Sequence, residues 1–177
     1  PEQLEMTLAT TGDLRLLTPG YAAPEQLRGE PVTTATDVHA LGVLMYALLT
    51  GRRPFAATSL IALERAVCEE DPAAPSTLAH RPLPPDLDAI VLMALRKEPG
   101  RRYAAAGQLA DDLGRYLRGE PVRARPDTAG YRLRKFVTRH RGAVALAALV
   151  AALLLGATGF SWQQARARSD ALAVAEA

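Results

Sequence analysis

The sequence predicts a mainly α-helical protein that carries one membrane-spanning helix. Hydrophobic residues make up 49% of its 177 residues but aromatic residues only 5%, so Ala, Leu and Val supply most of the apolar content. Such a composition favours packed helices over a sheet. The sequence begins at Pro1 rather than at Met, and we therefore expect it to be part of a longer chain.

The first two predicted helices follow an irregular, Pro- and Gly-containing segment over residues 1–31. One begins near Thr36 and Asp37 and ends at Gly51. It is apolar on nearly every side, which is typical of a helix surrounded by core. The next covers about 59–70 and precedes a Pro-rich connection.

Two more helices are predicted before residue 120. The third opens at Asp86 and ends before Pro99, and its apolar residues repeat at the spacing of one helix face. The fourth covers about 104–117. Its predicted apolar face consists of Ala106, Leu109, Ala110, Leu113, Tyr116 and Leu117, while Asp111, Asp112 and Arg115 are expected to face water.

Residues 142–162 contain no charged side chain, which predicts a transmembrane helix. About 20 apolar residues with a rise of 1.5 Å each cross a hydrocarbon core of roughly 30 Å. Trp162 lies where an interfacial aromatic residue is expected. The alternative is an Ala-rich helix buried in a soluble core.

Basic residues are concentrated on the N-terminal side of this span. The positive-inside rule therefore places that side in the cytoplasm and residues 163–177 outside, as in a single-pass protein of the cell inner membrane. Because the basic stretch adjoins the span, we expect anionic lipid as its partner, and no nucleic acid. The residues concerned are Arg132, Arg134, Lys135, Arg139 and Arg141 before the span, against Arg166 and Arg168 after it.

The isolated Cys and His residues do not indicate a metal site. Cys68 is the single cysteine, and we interpret it as a buried or idle thiol rather than a nucleophile. The three histidines are scattered singly, without the spacing of metal ligands, so no metal is expected to bind here.

Four motifs in order carry a resemblance to a known family. Residues 18–26, Thr-Pro-Gly-Tyr-Ala-Ala-Pro-Glu-Gln, resemble the end of a protein-kinase activation segment. Residues 37–44 and 49–55 look like the central helix of the kinase C-lobe and the turn after it. Residues 94–103 are similar to the segment between the last two helices of bacterial serine/threonine kinases. The resemblance covers residues 1–118 and implies the helical C-lobe of a bacterial-type serine/threonine protein kinase.

The resemblance implies a role for the loop at Thr18, Pro19, Gly20 and Tyr21. It would face the protein substrate, and Thr18 would bond to the catalytic Asp, which favours serine/threonine specificity. The alternative is a simple turn Thr before Pro. Glu25 would pair with a buried Arg, for which Arg102 is a better match than Arg101, and the pair would be structural.

Asp37, Leu44 and Leu48 would support the active site from beneath. In the family the matching Asp accepts backbone N–H bonds from the catalytic loop, although an acid stabilised by the helix dipole is the simpler interpretation. The two leucines would continue the apolar stack on the adenine side. His39 replaces the usual aromatic residue, and we interpret it as a packed neutral ring rather than a proton switch.

Three threonines before this loop are candidate phosphosites, namely Thr7, Thr10 and Thr11. A phosphate there would add a charge of about −1.5 to −2 that an Arg cluster could order. The alternative for each one is a solvated Thr in a loop.

Phosphoryl transfer needs a Gly-rich loop, a Lys–Glu pair, a catalytic Asp and Asn, and a metal-binding Asp-Phe-Gly. The sequence contains none of these. We therefore expect ATP and Mg2+ to be bound by a full-length kinase acting on protein substrates, and this fragment alone to be inactive. A membrane-anchored pseudokinase that serves as an interaction platform is the alternative.

The predicted domains follow from these points. Residues 1–118 form a partial kinase domain and 119–141 a basic juxtamembrane linker. Residues 142–162 form the transmembrane helix, and 163–177 begin a distal, extracytoplasmic helical segment.

Overall fold

The structure is a computed structural model that describes residues 19–175. This part of the chain consists of helices and turns, without a β-strand. The chain divides into two compact units, with the boundary between Thr128 and Ala129.

The first unit contains six helices within its described part. Helices at Thr34–Thr50, Leu60–Glu69, Pro85–Ala94 and Ala106–Leu117 correspond to the four predicted ones, and each starts within two residues of its expected position. Short 3-10 turns cover Pro19–Tyr21 and Pro99–Arg101. The helices are α1 (Pro24–Leu27), α2 (Thr34–Thr50), α3 (Leu60–Glu69), α4 (Pro75–Leu78), α5 (Pro85–Ala94) and α6 (Ala106–Leu117).

The second unit contains two helices, α7 (Ala129–Arg139) and α8 (Arg141–Ala175). The sequence had predicted a connector where α7 lies. The helical backbone of α8 covers the whole uncharged run and continues beyond Trp162.

Threonine hydroxyls cap the start of α2, and a glycine ends it. The Thr33 hydroxyl accepts a bond from the N–H of Ala35 at 3.3 Å, and the Thr36 hydroxyl accepts one from the N–H of Thr33 at 3.1 Å. The helix ends at Gly51, whose φ of 75° lies in the left-handed region that favours glycine. The helix therefore begins shortly before the position expected from Thr36 and Asp37.

Helix α2 is the centre of the first unit, and it packs against α5 and α6. Two of the three buried apolar clusters join these elements, and the third lies under α3. The clusters are Val38, Ile90, Ala94, Tyr103, Leu109 and Val122; Val43, Tyr46, Val91 and Leu95; and Phe55, Ala66 and Val67.

One side of α2 is not covered by the described residues. Leu41, Leu44 and Leu48 are 37%, 44% and 76% exposed, and together with Asp37 they form a stripe along the helix. The sequence predicted core residues on nearly every side of α2, whereas the described residues cover one side only. Residues packed on the stripe would have to come from outside the described part of this chain.

The buried face of α6 differs from the predicted one. Asp112 was expected to face water but is fully buried, whereas Leu117, expected in the core, is 80% exposed. Asp112 accepts bonds from the Tyr103 hydroxyl at 2.8 Å and from the N–H of Arg123 and of Ala124 at 2.6 and 3.0 Å. Because these buried donors need an acceptor, Asp112 faces the core. The buried side of α6 therefore differs from the side that carries the most apolar residues.

The segment after α6 packs on the first unit. Val122 is buried, and the Arg125 guanidinium donates to the Asp86 carboxylate at 3.0 Å. The residues expected to open the basic linker thus belong to the first unit up to Thr128.

Gly42 allows the closest approach between α2 and α5, which leads to a prediction about stability. A Cβ atom at Gly42 would lie 2.9 Å from the Cβ of Ala94, whereas at Gly107 in α6 it would meet nothing within 4 Å. Gly42→Ala should lower the free energy of unfolding of the first unit by about 1–3 kcal/mol, because the overpacking outweighs the helix propensity of Ala.

Gly107→Ala is the matched control. It should leave stability unchanged or raise it by up to about 1 kcal/mol. Hydrogen exchange of the α2 and α5 amides in the detergent-solubilised chain measures both variants, and equal protection in the two would contradict the close approach.

Candidate functional site

A short segment before α1 is held against α2 by packing from two sides. Gly20 is buried, and any side chain at this position would collide with the guanidinium of Arg53. Tyr21 packs against the cluster that contains Val43 and Tyr46. The absence of a side chain at Gly20 therefore allows the Arg53 guanidinium to lie against this turn.

Glu25 in α1 forms a buried ion pair with Arg102. The two carboxylate oxygens accept bonds from the two guanidinium nitrogens Nη1 and Nη2, each at 2.7 Å, and both side chains are at most 2% exposed. The Thr36 hydroxyl donates a further bond to Glu25 Oε1 at 2.8 Å. Arg101, the alternative partner, instead lies 3.9 Å from Glu98 on the surface.

Arg102 uses its whole guanidinium. Beyond the two bonds to Glu25, Nη1 donates to the carbonyl of Ala35 at 2.9 Å and Nη2 to that of Lys97 at 2.8 Å. Nε donates to the carbonyl of Arg96 at 2.6 Å. All five N–H groups of the side chain thus have acceptors, which satisfies the condition for burying this charge.

The ion pair sets the charge state of Glu25. Burial by itself would raise the pKa of this carboxyl, but the bonds from Arg102 and Thr36 and the charge of Arg102 outweigh burial and lower the pKa to about 2. The carboxylate is therefore ionised at every physiological pH. It acts as a fixed anchor and cannot serve as a proton donor there.

His39 lies beside this ion pair and is fully buried. Burial, assisted by the positive charge of Arg102, lowers its pKa to about 3. Neither ring nitrogen has a hydrogen-bond partner among the described residues. The ring is thus neutral at physiological pH, which agrees with the interpretation as a packed side chain.

Asp37 and the leucine stripe of α2 line an open depression. Its volume is about 470 Å³, and Tyr21, Asp37, Ala40, Leu41 and Leu44 form its walls. The structure brings Tyr21 of the predicted loop next to Asp37 and Leu44. Leu48 lies farther along the same stripe and does not line the depression.

Several predicted residues lie outside the described part of the chain. These are Thr18 of the predicted substrate loop and the candidate phosphosites Thr7, Thr10 and Thr11. In the described part, no group of three or more His, Cys, Asp or Glu side chains is close enough to hold a metal ion.

Sequence reasoning missed Lys97, which caps α3. Its Nζ donates to the carbonyl of Val67 at 2.7 Å and lies 4.1 Å from the centre of the Phe55 ring. Burial lowers the pKa of Lys97 to about 8, since the nearby carboxylates compensate only in part. The acceptor carbonyls lie about 30 residues away in sequence, so no local pattern could have indicated this contact.

The bond from Thr36 to Glu25 and the contact of Arg53 with Gly20 were also missed. Thr36 was expected at the start of α2, but its capping position does not indicate a bond to Glu25, 11 residues earlier. The contact of Arg53 with Gly20 has no sequence signal, since the two residues are far apart in the chain.

The part of the sequence that forms this site matches known proteins. The family model described as "Protein kinase domain" matches residues 6–113. The serine/threonine-protein kinase PknB of Mycobacterium tuberculosis is 43% identical over 104 residues, which cover 59% of this chain and 16% of that protein. PksC of Streptomyces coelicolor, also a serine/threonine-protein kinase, is 41% identical over 54% of this chain and 17% of its own length.

PknB of Mycobacterium leprae gives a similar result, with 41% identity over 59% of this chain and 17% of that protein. The chain thus spans about one sixth of the length of the curated relatives that it matches. Since the family model covers more than half of the chain and the relatives are bacterial serine/threonine kinases, the chain belongs to the protein kinase domain family and is of the bacterial serine/threonine type.

Proposed function

We propose that this chain is the substrate-side part of a membrane-anchored serine/threonine kinase. The whole protein would transfer the γ-phosphate of ATP to Ser or Thr side chains of cytoplasmic proteins. The observation that carries the proposal is the buried Glu25–Arg102 pair, which fixes the loop before α1 against α2. The relatives named as serine/threonine-protein kinases support the same activity.

Burial separates the residues of this site that can face a substrate from those that only position the loop. The loop at Gly20 and Tyr21 is held by Arg53 on one side and by the α2 cluster on the other, so it can present a rigid surface to a peptide. Glu25 and Arg102 are saturated with hydrogen bonds to one another and to the backbone. They are positioning residues and do not touch substrate.

The exposed stripe of α2 supports a second element of the proposal. Asp37 is exposed near the start of the helix, and Leu44 and Leu48 follow on the same side. A catalytic segment packed on the stripe would bury both leucines and bring its backbone N–H groups to the Asp37 carboxylate. The ATP and Mg2+ that the family uses would be held by that segment, because the described residues form no metal site.

Helix α8 supports the membrane anchor. Its segment Arg141–Phe160 contains an 18-residue window with a mean hydropathy of 2.3 and is long enough to cross a membrane. A buried core helix can pass the same test, but none of the most apolar stretch of this segment is buried in the structure. Exposed side chains such as Leu153 and Leu155 favour lipid as the surrounding medium.

Thr18→Ala tests the catalytic role proposed for the loop. In the full-length kinase, loss of the hydroxyl should reduce phosphate transfer to a Ser or Thr peptide by on the order of 10–100-fold, because the catalytic Asp is no longer held in place. Thr58→Ala, which removes an exposed hydroxyl, is the control. Unchanged phosphate transfer by a folded Thr18→Ala protein would contradict the catalytic role of Thr18. If the wild-type protein binds ATP but transfers no phosphate, an interaction platform is favoured instead.

Glu25→Gln tests the structural role of the pair. The variant should lower the free energy of unfolding at pH 7 by roughly 3–5 kcal/mol, because the charge of Arg102 is left buried without a counter-ion. Because the pKa of Glu25 is lowered from 4.5 to about 2, the wild-type pair contributes fully above about pH 4.5 and is lost as the pH falls towards 2. The variant should lack this part of the pH dependence.

Glu69→Gln is the matched control for this prediction. Glu69 pairs with Arg65 at 3.3 Å on the surface, so its replacement should change stability by less than about 1 kcal/mol. Denaturant titration of the detergent-solubilised chain at several pH values measures all three proteins. Similar losses for Glu25→Gln and Glu69→Gln would show that the buried pair does not stabilise the unit.

Cysteine labelling tests the membrane topology. Single cysteines are placed at Thr138 and at Ser169 in a Cys68→Ala background, and intact cells are treated with a membrane-impermeant thiol reagent. The positive-inside rule predicts that the label reaches position 169 and not position 138. Labelling of neither position, with the protein released into the soluble fraction on lysis, would contradict the anchor.

A further inference from the structure

Helix α7 is amphipathic, although its sequence is dominated by basic residues. At 100° per residue, Ala129, Leu133, Phe136 and Val137 fall within roughly a third of the helix circumference. The remaining surface carries the four cations Arg132, Arg134, Lys135 and Arg139, together with Gly130, Tyr131 and Thr138. The helix therefore has a narrow apolar face with basic flanks.

The apolar face of α7 is exposed. Leu133 and Phe136 are 63% and 54% exposed, and Val137 is 37% exposed. The helix contains no buried residue, and its contacts in the second unit are with the start of α8. A face of this kind needs a medium that accepts large apolar side chains next to several positive charges.

Only His140 separates α7 from the candidate membrane span. The His140 N–H donates to the carbonyl of Phe136 at 2.9 Å, and its carbonyl accepts from the N–H of Val144 at 2.9 Å, so the backbone stays hydrogen-bonded across the break. If α8 enters the bilayer, α7 starts at the membrane surface. Lipid is then in reach of α7 at a very high effective concentration.

We propose that α7 is an interfacial helix that lies in the cytoplasmic surface of the bilayer. Leu133, Phe136 and Val137 enter the boundary between head groups and acyl chains, and the flanking Arg and Lys side chains contact anionic lipid head groups. This inference rests on the proposed membrane anchor. It adds that a defined helix face, rather than charge alone, binds the lipid.

The combination of the two surfaces favours lipid over other anionic partners. A nucleic acid would engage the cations and leave Leu133 and Phe136 in water. A bilayer surface containing anionic lipid accepts both sets of side chains at once, as amphipathic helices with Lys and Arg beside Phe and Leu do. Each cation near such a surface strengthens binding by about fivefold.

The experiment measures how deeply two faces of α7 lie in the membrane. The full chain with Cys68→Ala carries a single cysteine in place of Leu133 or of Thr138, each labelled with an environment-sensitive fluorophore. The proteins are reconstituted into liposomes of phosphatidylcholine with a quarter phosphatidylglycerol, and a nitroxide-labelled lipid serves as quencher. The label at position 133 should be quenched at least threefold more strongly than the label at 138.

Thr138 is a strict control because it is closer to the span in sequence but lies on the opposite side of the helix. If mere proximity to the anchor determined quenching, position 138 would be quenched more than 133. Equal or reversed quenching would overturn the interfacial helix. Protection of position 133 from both the lipid quencher and a neutral aqueous quencher would also overturn it, since a protein surface would then cover the face.

The charge dependence is tested with Arg134→Gln combined with Lys135→Gln, which leaves Arg132, Arg139 and Arg141 before the span. Loss of two cations should reduce the ratio of docked to undocked helix by about 20-fold or more. The contrast between positions 133 and 138 should fall towards the level found in pure phosphatidylcholine. If the difference in quenching between positions 133 and 138 changes neither with the substitutions nor with the lipid composition, the role of anionic lipid is overturned.

A label in place of Leu149, in the middle of the apolar run, distinguishes failure of the interfacial helix from failure of the membrane anchor. Strong lipid quenching at 149 with no contrast between 133 and 138 overturns the interfacial helix and leaves the anchor intact. Absence of lipid quenching at 149 overturns the anchor and the interfacial helix together.

Discussion

The first unit is organised around one buried guanidinium. Arg102, in the loop before α6, reaches the carboxylate of α1, the first turn of α2 and the backbone that follows α5. Burying an ion pair carries a large desolvation cost, so its net contribution to stability is smaller than its geometry suggests. Its main effect is positional, because an alternative arrangement of these segments would leave a charge or several carbonyl groups without partners.

The environment of the pair is consistent with this role. His39 lies next to Arg102, and a protonated imidazole there would add a second positive charge in a buried site. Burial and the guanidinium both oppose protonation, so the site keeps one negative and one positive charge. The Thr36 hydroxyl accepts from the N-cap backbone and donates to Glu25, and it thereby links the start of α2 to the same pair.

The elements that follow local periodicity could be predicted from the sequence, and those that depend on distant partners could not. Helix α5 was located from its apolar spacing, and the end of α3 from the Pro-rich connection that follows it. The burial of Asp112 depends on donors at Tyr103, Arg123 and Ala124, which no helical pattern of α6 reveals. Glu25 and Arg102 are 77 residues apart, and only the resemblance to the kinase family suggested their pairing. Helix α7 was missed because its basic composition resembled that of a linker.

The exposed apolar surfaces of α2 and α8, both in the described part of the chain, suit different media. The stripe on α2 is narrow, begins beside the carboxylate of Asp37 and continues on a helix whose other side is core. The Asp37 carboxylate needs hydrogen-bond donors, and the leucines beside it need other apolar residues packed on them. A folded protein segment supplies both. In α8, by contrast, Leu146, Leu149 and Leu153 are exposed on a helix that has no charged residue for 20 positions or more. The Thr158 hydroxyl donates to the carbonyl of Leu155 within the helix at 2.9 Å, and a uniform apolar solvent suits the exposed leucines around it.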